Sequence, residues 1–309
     1  MPMRLQAGGR QPMGPADRPI LVPELSAREA DFVAAGPRVD PDLVVGVVDT
    51  GIVLDDGHPH PFLAGHLAGE PADYADLRAE DDLYRGHGSF VAGRILLEAP
   101  TATIDMRRVL LGAGDRQADN DAAVAAAIRA LAADNGNRLA VVNLSFAGHW
   151  EERSGPTEIA AALAALGDVP VVAATANRWD DRPSWPAAFS SDPGSNVLAV
   201  GAVDETVLPE APLAFSLTEP TASFASRWSG ITVYGSAVRV LGPRLTGGWC
   251  RWSGTSFAAA SVSGILARLG ARAGTWADLI GHVPMVEDKP WLRSAEAIEF
   301  EHTGGGHAG

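Results

Sequence analysis

Short apolar runs recur along the chain and are separated by stretches with helical periodicity. A run that is apolar at successive positions, rather than at alternate ones, is typical of a strand buried on both faces in a parallel sheet. Five runs of a strand's length are predicted to form such a sheet: Leu43–Val48, Ile104–Leu110, Leu139–Ser145, Val169–Ala176 and Val197–Val203.

Between these runs, apolar residues recur at the spacing of amphipathic helices. Asp121–Ala133 and Thr157–Leu166 each carry one apolar face, and Asp119 or Asn120 is suited to cap the first helix. The faces comprise Val124, Ile128 and Leu131 in the first helix and Ile159, Leu163 and Leu166 in the second. Trp252–Leu269 begins polar and becomes apolar, which predicts a buried helix starting near Ser256. The alternation indicates a three-layer α/β fold, with a mostly parallel central sheet covered by helices on both faces.

The composition divides the chain into one domain with two irregular ends. Residues 1–42 contain seven prolines and five arginines with little periodicity, which predicts an irregular arm or a strap laid over the domain. Residues 43–300 hold the periodic elements, and within them residues 208–232 predict loops with short edge strands. Residues 301–309 form a glycine-rich tail without packing residues.

Charge and cysteine content exclude several function classes. The chain has 24 basic and 38 acidic residues, a formal net charge of −14, and no basic patch. Nucleic acid is therefore not an expected partner. No apolar stretch approaches the roughly 18 residues that span a bilayer, so no membrane segment is expected either. Cys250 is the single cysteine, so neither an internal disulfide nor a thiolate metal cluster can form.

Four polar groups lie at predicted strand ends or helix starts, where an α/β fold exposes side chains. Asp49 directly follows the first apolar strand, and Asn177 ends the fourth. His87 stands between two glycines at the start of an apolar helix, and an imidazole is the natural proton carrier near neutral pH. Ser256 opens the buried helix, where N-terminal N–H groups can stabilise negative charge beside a nucleophilic hydroxyl.

Each group taken alone has an ordinary structural explanation. Asp49 and Asn177 fit turns, whereas His87 and Ser256 fit helix N-caps. The motifs together favour chemistry, because Asp-Thr-Gly at 49–51, His-Gly-Ser-Phe-Val-Ala-Gly at 87–93 and Gly-Thr-Ser-Phe-Ala at 254–258 occur in one chain. An aspartic peptidase needs two paired carboxylates, and no second Asp-Thr-Gly or Asp-Ser-Gly is present.

In this order the motifs resemble those of the subtilisin-like serine peptidases, the subtilase family, over roughly residues 43–269. The resemblance implies that Ser256 is the nucleophile, that His87 takes and returns its proton, and that Asp49 orients the imidazole. Asn177 and the backbone N–H of Ser256 would then form the oxyanion hole. The implied substrate-binding residues are Leu144, Ser145, Phe146, Ala147, Gly148, Ala174, Thr175 and Ala176.

The chain departs from the family pattern at three positions near the predicted site. Ala260 stands where proline is usual, and we expect modest loosening at the start of the nucleophile helix. Ala147 and Ala176 stand where glycine is usual, and glycine in such places allows close backbone approach. The two added methyl groups are expected to narrow the primary specificity pocket, favouring a small or selected side chain before the scissile bond.

The segments around the motifs suggest where and how such a peptidase acts. After His87 the helix leads directly to the Ile104 strand, without the calcium-binding loop of many secreted relatives, so we expect no cofactor. Residues 1–42 show no secretory signal and are too short for the folded inhibitory pro-domain common in the family. We therefore expect a cytoplasmic serine endopeptidase that processes a selected peptide or protein. The alternative is a catalytically weak or silent subtilase that acts as a binding or regulatory module.

Two further groups of residues attract attention. Pro59 and Pro61 break the helical spacing that metal ligands usually need, so a solvated loop is expected rather than a metal site at His58, His60 and His66. The residues before the nucleophile are expected to pack: Trp249, Cys250 and Trp252. The Cys250 thiol is the one among them that could be reachable near the site.

Overall fold

The structure, a computed structural model, describes most of the chain between residues 39 and 270 and short segments outside it. The described residues are 6–7, 19–25, 30, 39–68, 74–76, 86–110, 121–148, 155–178, 180–204, 222, 225–244, 247–270, 285–286 and 289–292. The 301–309 tail, the Asp119 and Asn120 cap and most of residues 208–232 lie outside them.

Strands and helices alternate through the described part of the chain. The strands are β1 (Gln6–Ala7), β2 (Ile20–Val22), β3 (Val44–Asp49), β4 (Ile52–Leu54), β5 (Leu67–Ala68), β6 (Tyr74–Asp76), β7 (Thr103–Arg108), β8 (Leu139–Leu144), β9 (Phe146–Ala147), β10 (Val171–Ala174), β11 (Val197–Val203), β12 (Val233–Ser236), β13 (Val240–Pro243), β14 (Trp249–Trp252), β15 (Met285–Val286) and β16 (Lys289–Leu292). The α-helices are α1 (His87–Glu98), α2 (Asp121–Asn135), α3 (Thr157–Ala164) and α4 (Thr255–Leu269), and 3-10 turns occupy Gly136–Arg138 and Ala187–Ser191.

Nine strands of the described part of the chain form the central sheet, in the order β15-β16-β12-β11-β10-β8-β3-β7-β5. Every neighbouring pair is parallel except the edge pair of β15 and β16. The five predicted strands are β3, β7, β8, β10 and β11, and the three predicted helices are α2, α3 and α4. The predicted mostly parallel α/β architecture is therefore confirmed.

Helices cover both faces of the sheet because alternate residues of each central strand point to opposite sides. Val45 and Val47 of β3 belong to an apolar cluster that includes residues of α1 and α4. Val44 and Val48 belong to a second cluster, together with residues of α2 and α3. The two clusters form the two cores of the predicted three-layer arrangement, and α1 and α4 lie side by side in the first.

Two segments of the N-terminal 42 residues pair with the rest of the molecule. Gln6–Ala7 pairs antiparallel with Phe146–Ala147, and Ile20–Val22 pairs antiparallel with β14. Part of this arm thus lies against the domain. Among the helices described here, none combines the length and apolar character needed to cross a membrane.

Candidate active site

The predicted site residues meet at one edge of the central sheet. β10, β8 and β3 are adjacent and parallel, so their carboxyl ends lie together at that edge. Asp49 is the last residue of β3, Ser145 follows β8 and Asn177 follows β10 by three residues. This is the edge at which open parallel sheets bind ligands.

Asp49 and His87 form a buried, directly bonded pair. The Nδ1 atom of His87 donates to Asp49 Oδ1 at 2.8 Å and lies 3.1 Å from Oδ2. Asp49 Oδ1 also accepts the backbone N–H of Thr50 at 2.7 Å, and both Asp49 and His87 are at most 1% exposed. A carboxylate is an acceptor, so Nδ1 carries the proton of this hydrogen bond, and in a neutral imidazole the lone pair is then on Nε2.

The first turn of α1 is tied to the loop after β3. The backbone N–H of Gly88 donates to Thr50 Oγ1 at 2.9 Å, and Ser89 Oγ accepts the N–H of Val53 at 2.9 Å. A Cβ on Gly88 would lie 2.4 Å from the carbonyl oxygen of Gly51, so only glycine allows this approach. These contacts fix the start of the helix beside Asp49. The N-cap residue is Gly86, which has no side chain of its own, so the Thr50 hydroxyl accepts a first-turn N–H instead.

Two aromatic side chains pack around the His87 ring. Its centroid lies 5.4 Å from that of Phe257 and 6.1 Å from that of Trp252. The imidazole therefore packs against the first turn of α4, next to Ser256. His87 Nε2 is buried and has no hydrogen-bond partner among the described residues.

Ser256 is the second residue of α4, and its hydroxyl bonds to the neighbouring strand end. Its Oγ donates to the carbonyl oxygen of Ser145 at 2.9 Å, and Ser145 Oγ is 2.8 Å from the carbonyl oxygen of Ser256. Ser145 Oγ also lies 2.8 Å from Asn143 Oδ1. The Nδ2 atom of Asn143 in turn donates to Ser263 Oγ at 3.0 Å. The Asp49–His87 contact is thus formed, whereas the Ser256 hydroxyl is bonded to Ser145 rather than to His87 Nε2.

Asn177 is held with its amide group beside the start of α4. Its Oδ1 accepts both the backbone N–H and the hydroxyl of Thr255, each at 2.9 Å. A Cβ on Gly254 would lie 3.4 Å from Asn177 Nδ2, which locates the NH₂ group near the N-cap of the helix. The carbonyl end is therefore fully engaged, and the donor end faces the helix terminus where Ser256 lies.

Ala176, just before Asn177, adopts a left-handed backbone conformation with a φ of 72°. Residues with a Cβ rarely adopt this conformation, whereas glycine does so readily. The resemblance placed glycine here and attributed it to close backbone approach. The structure gives a different reason, which is the turn that delivers Asn177 to the site.

The predicted substrate-binding residues line two adjacent strand ends. Leu144 and Ala174 end β8 and β10, and Thr175 donates its hydroxyl to the Val200 carbonyl at 2.9 Å. Phe146 and Ala147 form β9, the strand that pairs antiparallel with β1. Gly148 exchanges two backbone hydrogen bonds with Trp185, at 2.8 and 2.9 Å.

The remaining candidates lie apart from this chemistry. Cys250 packs in the core, as expected, and is only 2% exposed. Burial also raises the pKa of its thiol to about 12, so the expectation that the thiol is reachable near the site is wrong. His58 is exposed, as expected of a solvated loop, whereas His60 and His66 are each only 9% exposed. The Nε2 atom of His60 donates to the Gly248 carbonyl at 2.7 Å, and its Nδ1 accepts the N–H of Phe62 at 3.1 Å. Within the described residues, no group of histidines, cysteines or acids could hold a metal ion.

The sequence does not show how several residues organise the site. Thr50, Thr255 and the Ser145 hydroxyl act through bonds to groups that are distant along the chain. Thr50 and Thr255 belong to the motifs, yet the motifs alone do not show which atoms they contact. Trp185 lies outside every motif.

Comparisons with known proteins identify the family and the fold of the chain. The model of the subtilase family matches residues 40–280. Patellamide maturation protease PatA is similar in structure, with 24% identity over 88% of this chain and 100% of that chain and a TM-score of 0.60. The nisin leader peptidase NisP from Lactococcus lactis has 21% identity over 84% of this chain and 88% of that chain, with a TM-score of 0.59.

Prenylagaramide maturation protease PagA is a third similar structure, with 24% identity over 77% of this chain and 78% of that chain and a TM-score of 0.54. A comparison with curated protein sequences finds no match. At these identities the three structures establish the shared fold, whereas the family model covers most of the sequence. The chain therefore belongs to the subtilase family of serine peptidases, which are hydrolases.

Proposed function

We propose that this subtilase is a serine endopeptidase that cleaves its substrate through an acyl-enzyme formed on Ser256. The observation that carries the proposal is the buried Asp49–His87 pair. Its imidazole packs against Phe257, the residue after Ser256, and its Nε2 has no hydrogen-bond partner among the described residues. An imidazole whose Nδ1–H is held by a carboxylate is suited to accept a proton at Nε2. The proposal requires the Ser256 hydroxyl to leave the Ser145 carbonyl and to bond to that nitrogen instead, by rotation about its Cα–Cβ bond.

In the proposed reaction, Ser256 Oγ bonds to the carbonyl carbon of the scissile peptide while His87 Nε2 takes the hydroxyl proton. The carbonyl electron pair moves to the oxygen, giving a tetrahedral intermediate. When that pair returns, the C–N bond breaks and the leaving nitrogen takes the proton from His87. Water then attacks the acyl group, gives its proton to His87, and releases the acid while the proton returns to Ser256.

The Asn177 amide and the backbone N–H of Ser256 are suited to bind the oxygen that becomes negative. Thr255 holds Asn177 Oδ1 through two hydrogen bonds, which leaves the NH₂ group for this oxygen. Replacement of Asn177 by alanine is expected to lower kcat about 10²–10³-fold, a figure that comes from subtilisin itself. KM should change little, because the charge develops only in the transition state.

Covalent labelling tests the enzyme assignment. A fluorophosphonate, which phosphonylates an activated serine, should label the protein and block peptide hydrolysis. Ser256→Ala should abolish labelling, and His87→Ala should slow it strongly. Ser190→Ala is the matched control, because the Ser190 hydroxyl bonds to the Gly230 carbonyl and takes no part in the site. An unlabelled protein, or labelling that survives Ser256→Ala, would contradict the proposal.

We further propose that the enzyme is a processing peptidase selective for one peptide or protein partner. Support comes from the names of similar structures, which include maturation proteases and a leader peptidase. The alanines at 147 and 176 are consistent with a restricted pocket. Mass spectrometry of a treated cell lysate should show few cleavages that share a small residue before the scissile bond. Broad digestion of unfolded casein, or a preference for large aromatic residues there, would argue against this role.

We also propose a cytoplasmic location and activity without a metal ion. The support is the short connection between α1, which ends at Glu98, and β7, which begins at Thr103. Many secreted relatives carry a calcium-binding loop in this region. Fractionation of cells that express the tagged natural gene should recover the protein with cytoplasmic markers, and recovery from the medium would contradict this location.

A catalytically weak subtilase that acts as a binding module is the second candidate. The observation that favours it is the Ser256 hydroxyl, which donates to Ser145 rather than to His87. Such a protein would bind a peptide with measurable affinity but would neither cleave it nor react with the fluorophosphonate. The labelling experiment therefore separates the two candidates.

A further inference from the structure

A buried ionic cluster joins the helix that begins with His87 to the helix that carries Ser256. Arg94 lies two turns after His87 on α1 and is 0% exposed. Its Nη2 donates to Glu98 Oε1 at 2.9 Å, on the next turn of the same helix, and Glu98 is also buried. The pair thus buries two ionisable side chains in the core of the domain.

The guanidinium reaches two further elements. Its Nη2 donates to Ser261 Oγ of α4 at 2.9 Å, with Nε at 3.3 Å from the same oxygen, and Nη1 donates to the Leu241 carbonyl of β13 at 3.1 Å. Ser261 lies five residues after Ser256 on its helix. With a rise of 1.5 Å per residue, Arg94 lies about 10 Å from His87 along α1. By the same measure, Ser261 lies about 7.5 Å from Ser256 along α4.

The helices meet here at backbone distance. A Cβ on Gly264 of α4 would lie 2.6 Å from both the Ile95 carbonyl oxygen and Glu98 Cβ of α1. The helix α1 also lies close to the strand β13, since a Cβ on Gly93 of α1 would lie 2.1 Å from the Pro243 side chain of β13. Such close contact fixes the separation of the helices at Gly264, and Phe90 of α1 packs on Phe257 of α4 with ring centroids 4.5 Å apart. Apolar contacts of this kind are not directional, so they resist a small shift along the helix axes less sharply than hydrogen bonds do. The directional bonds of the guanidinium supply that resistance.

A buried ion pair is a poor means of stabilisation. Desolvation offsets most of its attraction, and replacement of such a pair by well-packed apolar residues is often neutral or stabilising. A planar guanidinium with several donors is, in contrast, well suited to define the geometry of the groups around it. The cluster is therefore better explained by the placement of the helices than by the stability of the core.

We propose that Arg94, with Glu98 and Ser261, is a positioning unit that sets the register of His87 against Ser256. The proposal rests on the proposed peptidase function. It predicts that loss of the cluster shifts α1 relative to α4 and slows proton transfer between the two side chains. Substrate binding, which uses the strand ends after β8 and β10, should be little affected.

The test compares the unaltered protein with the double variant Arg94→Met/Glu98→Leu, which removes both charges and keeps similar volume. Because a misplacement of about 1 Å can slow a reaction on the order of 10²-fold, we expect kcat and the labelling rate to fall about 10-fold or more. KM and Tm should stay close to those of the unaltered protein. Arg138→Met is the control, since Arg138 is exposed and bonds only to carbonyls away from the site among the described residues.

A purely structural role predicts a lower Tm with an unchanged kcat for the folded fraction, and that result would overturn the proposal. So would kcat and labelling rates within twofold of the unaltered protein. If the double variant fails to fold, Ser261→Ala removes one acceptor and must show the same loss of kcat. An unaltered protein that is not labelled would instead contradict the peptidase function itself, so the two failures are distinct.

Discussion

Replacement of alanine by glycine should have opposite effects on Tm at two nearby positions, Ala176 and Ala174. The φ of 72° at Ala176 is left-handed, and a residue with a Cβ pays about 1–2 kcal/mol for that conformation. Glycine would relieve this strain but would gain about 0.4–1 kcal/mol of conformational freedom in the unfolded chain. Because Ala176 is only partly buried, little apolar contact is lost with the methyl group. Ala176→Gly is therefore expected to stabilise the fold.

The net gain should be about 1 kcal/mol, which raises Tm by about 2 °C in a domain of this size. Ala174→Gly is the matched control, because Ala174 is buried in the extended strand β10. There the substitution loses a buried methyl group and adds backbone freedom, so it should cost about 1.5 kcal/mol and lower Tm by about 3 °C.

Thermal unfolding, followed by circular dichroism or calorimetry, measures both effects. Both substitutions are made in the Ser256→Ala background, so that self-digestion does not distort the transition. Opposite signs at positions 174 and 176 would support the assignment of backbone strain. A lower Tm for both variants, by similar amounts, would refute it.

Further predictions concern pH, packing and metals. Burial lowers the pKa of His60 below its usual value of 6.5, so protonation favours the unfolded chain and Tm should fall as pH drops below about 6.5. His60→Gln should flatten this decline, and an equally steep decline in both proteins would contradict the reasoning. Gly88→Ala should cost about 1–3 kcal/mol and slow fluorophosphonate labelling, because its Cβ would lie 2.4 Å from the Gly51 carbonyl oxygen; an unchanged Tm would argue against the contact. Excess EDTA should alter neither activity nor Tm, and a loss that calcium restores would reveal a metal requirement.

The sequence predicts the strands and helices well because local pattern and burial agree in them. β11 matches its predicted bounds, and α4 begins one residue before Ser256. The strand ends and helix starts also locate Asp49, His87 and Asn177 at one edge of the sheet. In each case a short local string carries the structural information.

The sequence cannot predict features that depend on distant contacts. The Ser256 hydroxyl bonds to a carbonyl 111 residues away, and a rotatable hydroxyl can choose among several acceptors. Arg94 stands in an apolar helix with no sign of its partner on α4, 167 residues further along the chain. The pairing of β1 with β9 likewise joins segments that share no local pattern.

The order of the elements along the chain bears on when this molecule can act during its own synthesis. Ribosomes deliver the N-terminal part first, so the strand ending at Asp49 and the helix starting at His87 emerge long before α4. Until α4 is translated and packs beside α1, a nascent chain has Asp49 and His87 but no Ser256. Under the proposed mechanism, hydrolysis therefore cannot begin before the helix that carries the serine has been made.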